Sequence, residues 1–132
     1  MLFSVIVPTY NARATLPELL ESLQSQTFHD FETILVDDCS TDSTAQLAKS
    51  YPYKFLRMAR NSGPAACRNR GANAAGGEIL VFTDSDCRVE PHWLERIRER
   101  FREGSCDAVM GRLVLAPSTF LGDAVSALGF PA

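Results

Sequence analysis

The sequence predicts an α/β fold, with a Rossmann-like, mostly parallel sheet and helices on both faces. Two observations predict it. Short apolar runs alternate with segments of helical periodicity, in the order β-α-β-α-β-α-β-α-β. Such alternation implies parallel strands joined by right-handed crossovers. Three of the runs also end in polar residues, at Thr9-Tyr10-Asn11, Asp37-Asp38 and Asp84-Ser85-Asp86. The carboxyl ends of parallel strands share one edge, and ligands of open α/β sheets bind there.

Each element has its own signature. Leu2–Pro8 is almost continuously apolar, as in a strand buried on both faces. Pro8 is expected to end it, because proline cannot donate to a central ladder. Leu16, Leu19, Leu20 and Leu23 recur at helical spacing, with Thr15 a candidate N-cap and Pro17 tolerable in the first turn. Glu32–Asp37 reads as a second strand, and Ser40 or Asp42 can cap a helix over Ser43–Lys49. Tyr53–Met58 reads as a third strand and Asn61–Pro64 as turn chemistry. Ala65–Ala75 is alanine-rich and should be helical, closed by Gly76-Gly77. Glu78–Phe82 reads as a buried fourth strand. Pro91 can begin another helix, with Trp93, Leu94, Ile97 and Phe101 on its apolar face and Arg96, Glu99, Arg100 and Glu103 on a solvated one. Asp107–Gly111 is expected to be a fifth strand. Leu113–Ala132 is apolar and weakly patterned, with Asp123 its one acidic residue.

Composition narrows the function. At 132 residues the chain suits one domain, and a net charge of -3 leaves no basic excess to hold DNA or RNA. Cys39, Cys67, Cys87 and Cys106 form no CxxC pair, so zinc and thioredoxin-type motifs are not indicated. Their scatter suits reduced thiols in a cytoplasmic protein. The N-terminal apolar run is too short for a signal peptide, and no stretch is long enough to span a membrane.

The chemistry collects at the three polar strand ends. Asp84 and Asp86 would share one face, ~6–7 Å apart if the strand stays extended. Two like charges so placed call for a cation between them, and a hard divalent ion with oxygen ligands fits. Taken alone, the segment reads equally as an acidic turn. Arg68 and Arg70 lie early in the third helix and bring positive charge toward the same edge. Carboxylates for a cation, arginine for phosphate and the Tyr10 ring for a base together suit a metal-bound nucleotide. Walker A and GxGxxG sequences are absent, which sets aside the usual ATPases and nicotinamide enzymes. Plainer readings stand beside these: Tyr10 as a core-packing loop aromatic, Arg70 as a solvated residue, His29 and His92 as surface histidines, Trp93 as core. Adjacent side chains on a regular strand point to opposite faces, so one of Asp37 and Asp38 should be a cap or ion-pair partner.

Four blocks carry a resemblance. Ser4-Val-Ile-Val-Pro-Thr-Tyr-Asn11, Val36-Asp-Asp-Cys-Ser-Thr-Asp-Ser43, Asn61-Ser-Gly-Pro-Ala-Ala-Cys-Arg-Asn-Arg-Gly71 and Gly77-Glu-Ile-Leu-Val-Phe-Thr-Asp-Ser-Asp86 resemble, in order and spacing, the family 2 glycosyltransferases of GT-A fold. The resemblance implies that Pro8, Thr9 and Tyr10 form the first nucleotide loop. It implies that Asp38 meets the base and Arg68 lies near the nucleotide and diphosphate. Asp84-Ser85-Asp86 resembles the DXD motif, with Asp86 on the divalent metal (Mn²⁺ or Mg²⁺) and Asp84 near the ribose or metal. It further implies transfer of a sugar, with inversion, from a nucleotide-diphospho-sugar, UDP favoured, to a glycan, lipid or protein acceptor. The family's general base and acceptor segment have no match after Gly111. Residues 1–112 are therefore expected to be the nucleotide-sugar-binding domain and 113–132 the start of an acceptor-side half. A cytoplasmic location, with the full-length protein peripheral to the inner membrane face, is expected. The alternative is a non-catalytic nucleotide-binding module that self-associates through 113–132.

Overall fold

The computed structural model describes residues 1–104 and 106–113. By its internal contacts the chain divides into two units, Met1–Glu95 and Arg96–Ala132. The first holds a parallel sheet of β1 (Phe3–Thr9), β2 (Phe31–Asp37), β3 (Lys54–Arg57) and β4 (Ile79–Phe82), in the order β3-β2-β1-β4. It also holds α1 (Leu16–Gln24), α2 (Thr44–Lys49), α3 (Pro64–Ala74) and the first turn of α4 (Trp93–Arg102).

The order of strands follows from hydrophobicity. β1 is buried at every residue, and Phe3, Val5, Ile6 and Val7 are wholly out of solvent. Burial of each such side chain is worth ~1.5–3 kcal/mol, so the most apolar run takes the centre. Contrary to expectation, Pro8 does not end β1; the strand runs on through Thr9. The Thr9 carbonyl accepts from Asp38 N just past β2, whereas the Ile6 carbonyl accepts from Thr83 N on the β4 side. Pro8 has the parity of Ile6 and so faces β4, whose pairing has already stopped at Phe82 opposite Ile6. The missing N–H therefore costs no ladder bond.

β4 also departs from the sequence reading. Among the described residues it is an edge strand, and only Val81 is buried, while Leu80 and Phe82 are exposed. An apolar run marks a strand but does not say whether a neighbour lies beyond it.

The helices are set by their apolar faces. In α1 the leucines 16, 19, 20 and 23 are wholly buried. Thr15 occupies the N-cap position but makes no cap bond; its hydroxyl donates to the Ala12 carbonyl at 3.5 Å. At α2 the carboxylate of Asp42 accepts the Thr44 N–H at 2.9 Å and also the Thr44 hydroxyl. This side-chain turn holds Asp42 below the ordinary carboxylate range. Ser40, the other cap candidate, is instead bonded to Asp37. α3 lies against β1 and β2 on the face of Ile6, Ile34 and Val36, with Cys67 in the same cluster. Gly71 permits the approach, since a Cβ there would collide with Ile6. Crossovers that step from β1 to β3 and then back across to β4 reverse direction, which puts α1 and α2 on one face and α3 on the other.

A polar clamp closes the amino edge of the sheet. Glu32 Oε1 accepts Ser4 Oγ–H and Gly76 N–H, both at 2.6 Å, and Ser4 Oγ accepts Gly77 N–H at 2.9 Å. It pins the α3–β4 turn to β1 and β2.

In the second unit, α4 continues to Arg102, with Arg96, Glu99 and Arg100 exposed as the heptad-like pattern anticipates. Arg100 pairs with Glu103 at 3.4 Å. The expected fifth strand is not formed: residues 106–113 have no regular structure, and Val109, Met110 and Leu113 are exposed. A strand needs a hydrogen-bonded neighbour, and its apolar sequence cannot supply one. Residues 114–132, where self-association was expected, lie outside the described residues.

Candidate functional site

Sheet order fixes where a site can form. The chain leaves β1 toward β2 and β3 and then returns to β4 on the other side of β1. The carboxyl ends of β1 and β4 thus flank the topological switch point, where a crevice opens in folds of this class. A cleft of about 590 Å³ lies there. Its lining includes every residue singled out from the sequence as donor- or metal-binding: Pro8, Thr9, Tyr10, Asp38, Arg68, Asp84, Ser85 and Asp86.

The first wall is the β1–α1 loop. Tyr10 is half exposed, its ring open to a ligand rather than packed in the core. Asn11 follows with φ 46°, in the left-handed region that asparagine tolerates. Its Oδ1 accepts Thr41 N–H at 2.8 Å, and its own N–H donates to Ser40 Oγ at 3.0 Å. These bonds tie the β1–α1 loop to the β2–α2 loop.

The two adjacent aspartates divide their work. Asp37 is wholly buried and structural. Its carboxylate accepts the Ser40 hydroxyl at 2.5 Å and the Ser40 N–H at 3.1 Å, with Arg57 Nη1 at 3.7 Å. Asp38 turns to the cleft. Its Oδ1 accepts Ser62 N–H at 2.7 Å and its Oδ2 accepts Gly63 N–H at 2.8 Å. Asn61 Nδ2 adds a bond of 3.3 Å to the Asp38 carbonyl. The carboxylate therefore anchors the loop that leads into α3. Gly63, at φ 89°, takes a turn that a side chain would strain. Sequence reasoning saw a turn in Asn61–Pro64 but not that Asp38 holds it, because the contact joins residues more than 20 apart.

Cys67, on α3, also lines the cleft. Burial pushes its thiol up to about 12, reinforced by the Asp38 charge and by a hydrogen bond to Asp38. It is a neutral donor at physiological pH, not a nucleophile.

The far wall is the segment after β4. The expected extended geometry ends at Phe82. Residues 85 and 86 are in a turn, closed by Cys87 N–H on the Asp84 carbonyl at 3.1 Å. Strand alternation therefore does not set the spacing of Asp84 and Asp86; the turn does. Both aspartates are exposed. Arg68 Nη2 donates to Asp84 Oδ1 at 2.8 Å, spanning the cleft from α3 to the β4 end. Arg70 points to solvent. Among the described residues, no group of three or more His, Cys, Asp or Glu side chains is arranged to hold a metal.

The chain can be compared with known proteins. The model of the family described as "Glycosyl transferase family 2" matches residues 4–124. The poly(ribitol-phosphate) beta-N-acetylglucosaminyltransferase TarS of Staphylococcus aureus strain Mu50 is 45% identical over 102 residues, 72% of this chain and 18% of TarS. The crystal structure of S. aureus TarS 1-349 in complex with UDP-GlcNAc superposes with a TM-score of 0.76 at 33% identity, over 89% of this chain and 39% of that one. The mannosyltransferase PcManGT from Pyrobaculum calidifontis, in complex with GDP-Man and Mn²⁺, gives a TM-score of 0.62 at 29% identity, over 70% of this chain and 32% of that one. The chain thus spans well under half the length of each.

Proposed function

The chain belongs to glycosyl transferase family 2, and we propose from that premise that its cleft binds a nucleotide-diphospho-sugar, a UDP-sugar by preference, for transfer with inversion to an acceptor. The observation that carries the reading is the convergence of four separate sequence blocks on one cleft at the switch point of the sheet. The UDP-GlcNAc and GDP-Man complexes of TarS and PcManGT support the donor class.

Each wall has a task in this reading. The exposed Tyr10 ring and the backbone of Pro8 and Thr9 receive the base and ribose. Asp38 keeps the α3 loop in place and presents a carboxylate lone pair to a base N–H group, one being left beyond its two backbone bonds and the Cys67 thiol. Arg68 offers a planar fork of donors to the diphosphate. Asp84, Ser85 and Asp86 supply hard oxygen donors that fit Mn²⁺ or Mg²⁺. Two exposed carboxylates suit an ion that takes its remaining ligands from substrate phosphate and water. The cation, when bound, neutralises the charge that grows on the leaving diphosphate.

Residues 1–112 are the donor-binding domain in this proposal, and residues 113–132 lead toward an acceptor-side part that would carry the base. Among the described residues no helix is long and apolar enough to cross a membrane. A cytoplasmic location is part of this proposal. Calorimetry with UDP, with and without Mn²⁺, tests the reading. Binding that strengthens with Mn²⁺, and loses that gain in Asp86→Ala, is expected. A folded sample that gives no heat with millimolar UDP and Mn²⁺ would overturn it.

A further inference from the structure

The cleft contains a bond between two groups assigned to different parts of the ligand. Arg68 Nη2 sits 2.8 Å from Asp84 Oδ1. Arg68 is the guanidinium on the diphosphate side, rooted in α3, and Asp84 is a carboxylate of the cation side, rooted at the end of β4. A carboxylate oxygen that accepts a guanidinium cannot also give its full charge to a divalent ion, because the two cations would be neighbours. A guanidinium held by a carboxylate likewise cannot present its whole fork to phosphate.

We infer that Arg68 and Asp84 form an exchangeable pair that couples cation and nucleotide binding, an inference that rests on the donor-site reading above. Without ligand, each neutralises the other. When diphosphate arrives it takes Arg68 and frees Asp84 for the cation. When the cation arrives first it takes Asp84 and releases Arg68 for the diphosphate. Each ligand removes the competitor of the other, so each binds more tightly in the presence of the other, and by linkage the two gains are equal. The pair is suited to exchange because it is exposed, at 37% and 59% for the two side chains. Exposed ion pairs shift an equilibrium by up to about 5-fold, enough to couple the ligands without locking the site.

The alternative is that Arg68 is a fixed positive charge near the cation. The two make different predictions for the 132-residue chain. Mn²⁺ affinity is measured by electron paramagnetic resonance of the free ion, at zero and at saturating UDP, corrected for Mn²⁺ held by UDP in solution. Circular dichroism verifies that each variant is folded. With exchange, Arg68→Gln tightens Mn²⁺ alone about 2- to 5-fold and reduces the UDP-induced gain by a similar factor. With a fixed charge, Arg68→Gln tightens Mn²⁺ equally with and without UDP, and the unchanged gain overturns the inference. A second variant tests it from the other side. Asp84→Asn releases Arg68 in advance, so metal-free UDP binds about 2- to 5-fold tighter; equal or weaker binding contradicts exchange. If the unmodified chain binds UDP more tightly with Mn²⁺ and only these shifts fail, exchange is wrong and the donor site stands. If it binds neither ligand, both fall.

Discussion

Asp37 and Asp38 are chemically identical neighbours with opposite fates. One side chain points into the sheet and is satisfied by Ser40 and Arg57. The other points to the cleft and holds two backbone amides of the loop before α3. Asp38 is only 4% exposed, so its bonds are sheltered from water and their loss is felt. Removing the acceptor of buried or part-buried donors costs about 1–3 kcal/mol. Asp38→Ala is therefore expected to lower the melting temperature, by about 4 °C for each kcal/mol in a chain of this size, besides weakening nucleotide binding. Asp38→Asn, which keeps one acceptor oxygen, should lie between. A melting curve for Asp38→Ala that overlays the unmodified protein would show that the carboxylate serves the ligand alone. Alternation requires the two aspartates to diverge but does not say which one faces the cleft, since that depends on where β2 ends relative to β1; the family resemblance pointed to Asp38, and Asp38 is the one that lines the cleft.

Among the elements, the α3–β4 connection is held to the sheet by two side chains, Glu32 and Ser4. Glu32 gathers Ser4 and Gly76, and Ser4 gathers Gly77. The Ser4 hydroxyl first, and the Gly76 N–H second, hold Glu32 below its ordinary value of 4.5. A carboxylate lowered in the folded state contributes stability above its unfolded value, and loses it as pH falls through the folded one. Glu32→Gln is therefore expected to be less stable than the unmodified protein at pH 7, with the difference shrinking below about pH 4.5. Urea unfolding at several pH values measures this. A difference that stays constant from pH 7 to pH 3 would show that the charge on Glu32 plays no part. The elements themselves were legible. The leucine spacing of α1, the alanine-rich α3 and the apolar β1 and β2 each have a local cause. The errors came where an element depends on a partner: Pro8 continues β1 because β4 stops short, and Asp107–Gly111 forms no strand because nothing pairs with it.

At the scale of the whole molecule, the sheet should not be uniformly stable. β1 is hydrogen-bonded on both sides and buried throughout, whereas β3 and β4 are edges with exposed residues. Opening free energies track burial and pairing. Amide hydrogen exchange is expected to be slowest in β1, next in β2, and faster in β3 and β4. Equal protection of β4 and β1 would mean that the β4 edge is covered in solution. This gradient suits a binding domain. The cleft sits at the carboxyl ends of the fully buried β1 and of β4, with the β1–α1 loop tied to the β2–α2 loop and the Asp84–Asp86 turn tied to α3 through Arg68. The family model matches residues 4–124, and the chain spans 39% of the TarS structure and 32% of PcManGT.

The sequence by itself determined the alternation of strands and helices, the parallel sheet and the polar strand ends that line part of the cleft. These follow from periodicity and from polar residues placed just past apolar runs, both of which are local in the chain. Only the tertiary structure decided that β4 is an edge, that Asp38 anchors the α3 loop, and that Arg68 reaches Asp84. The loop anchored by Asp38 and the Arg68–Asp84 bond join residues 24, 25 and 16 positions apart. No local pattern encodes such a distance; it is set by which way the crossover turns and by where each strand stops.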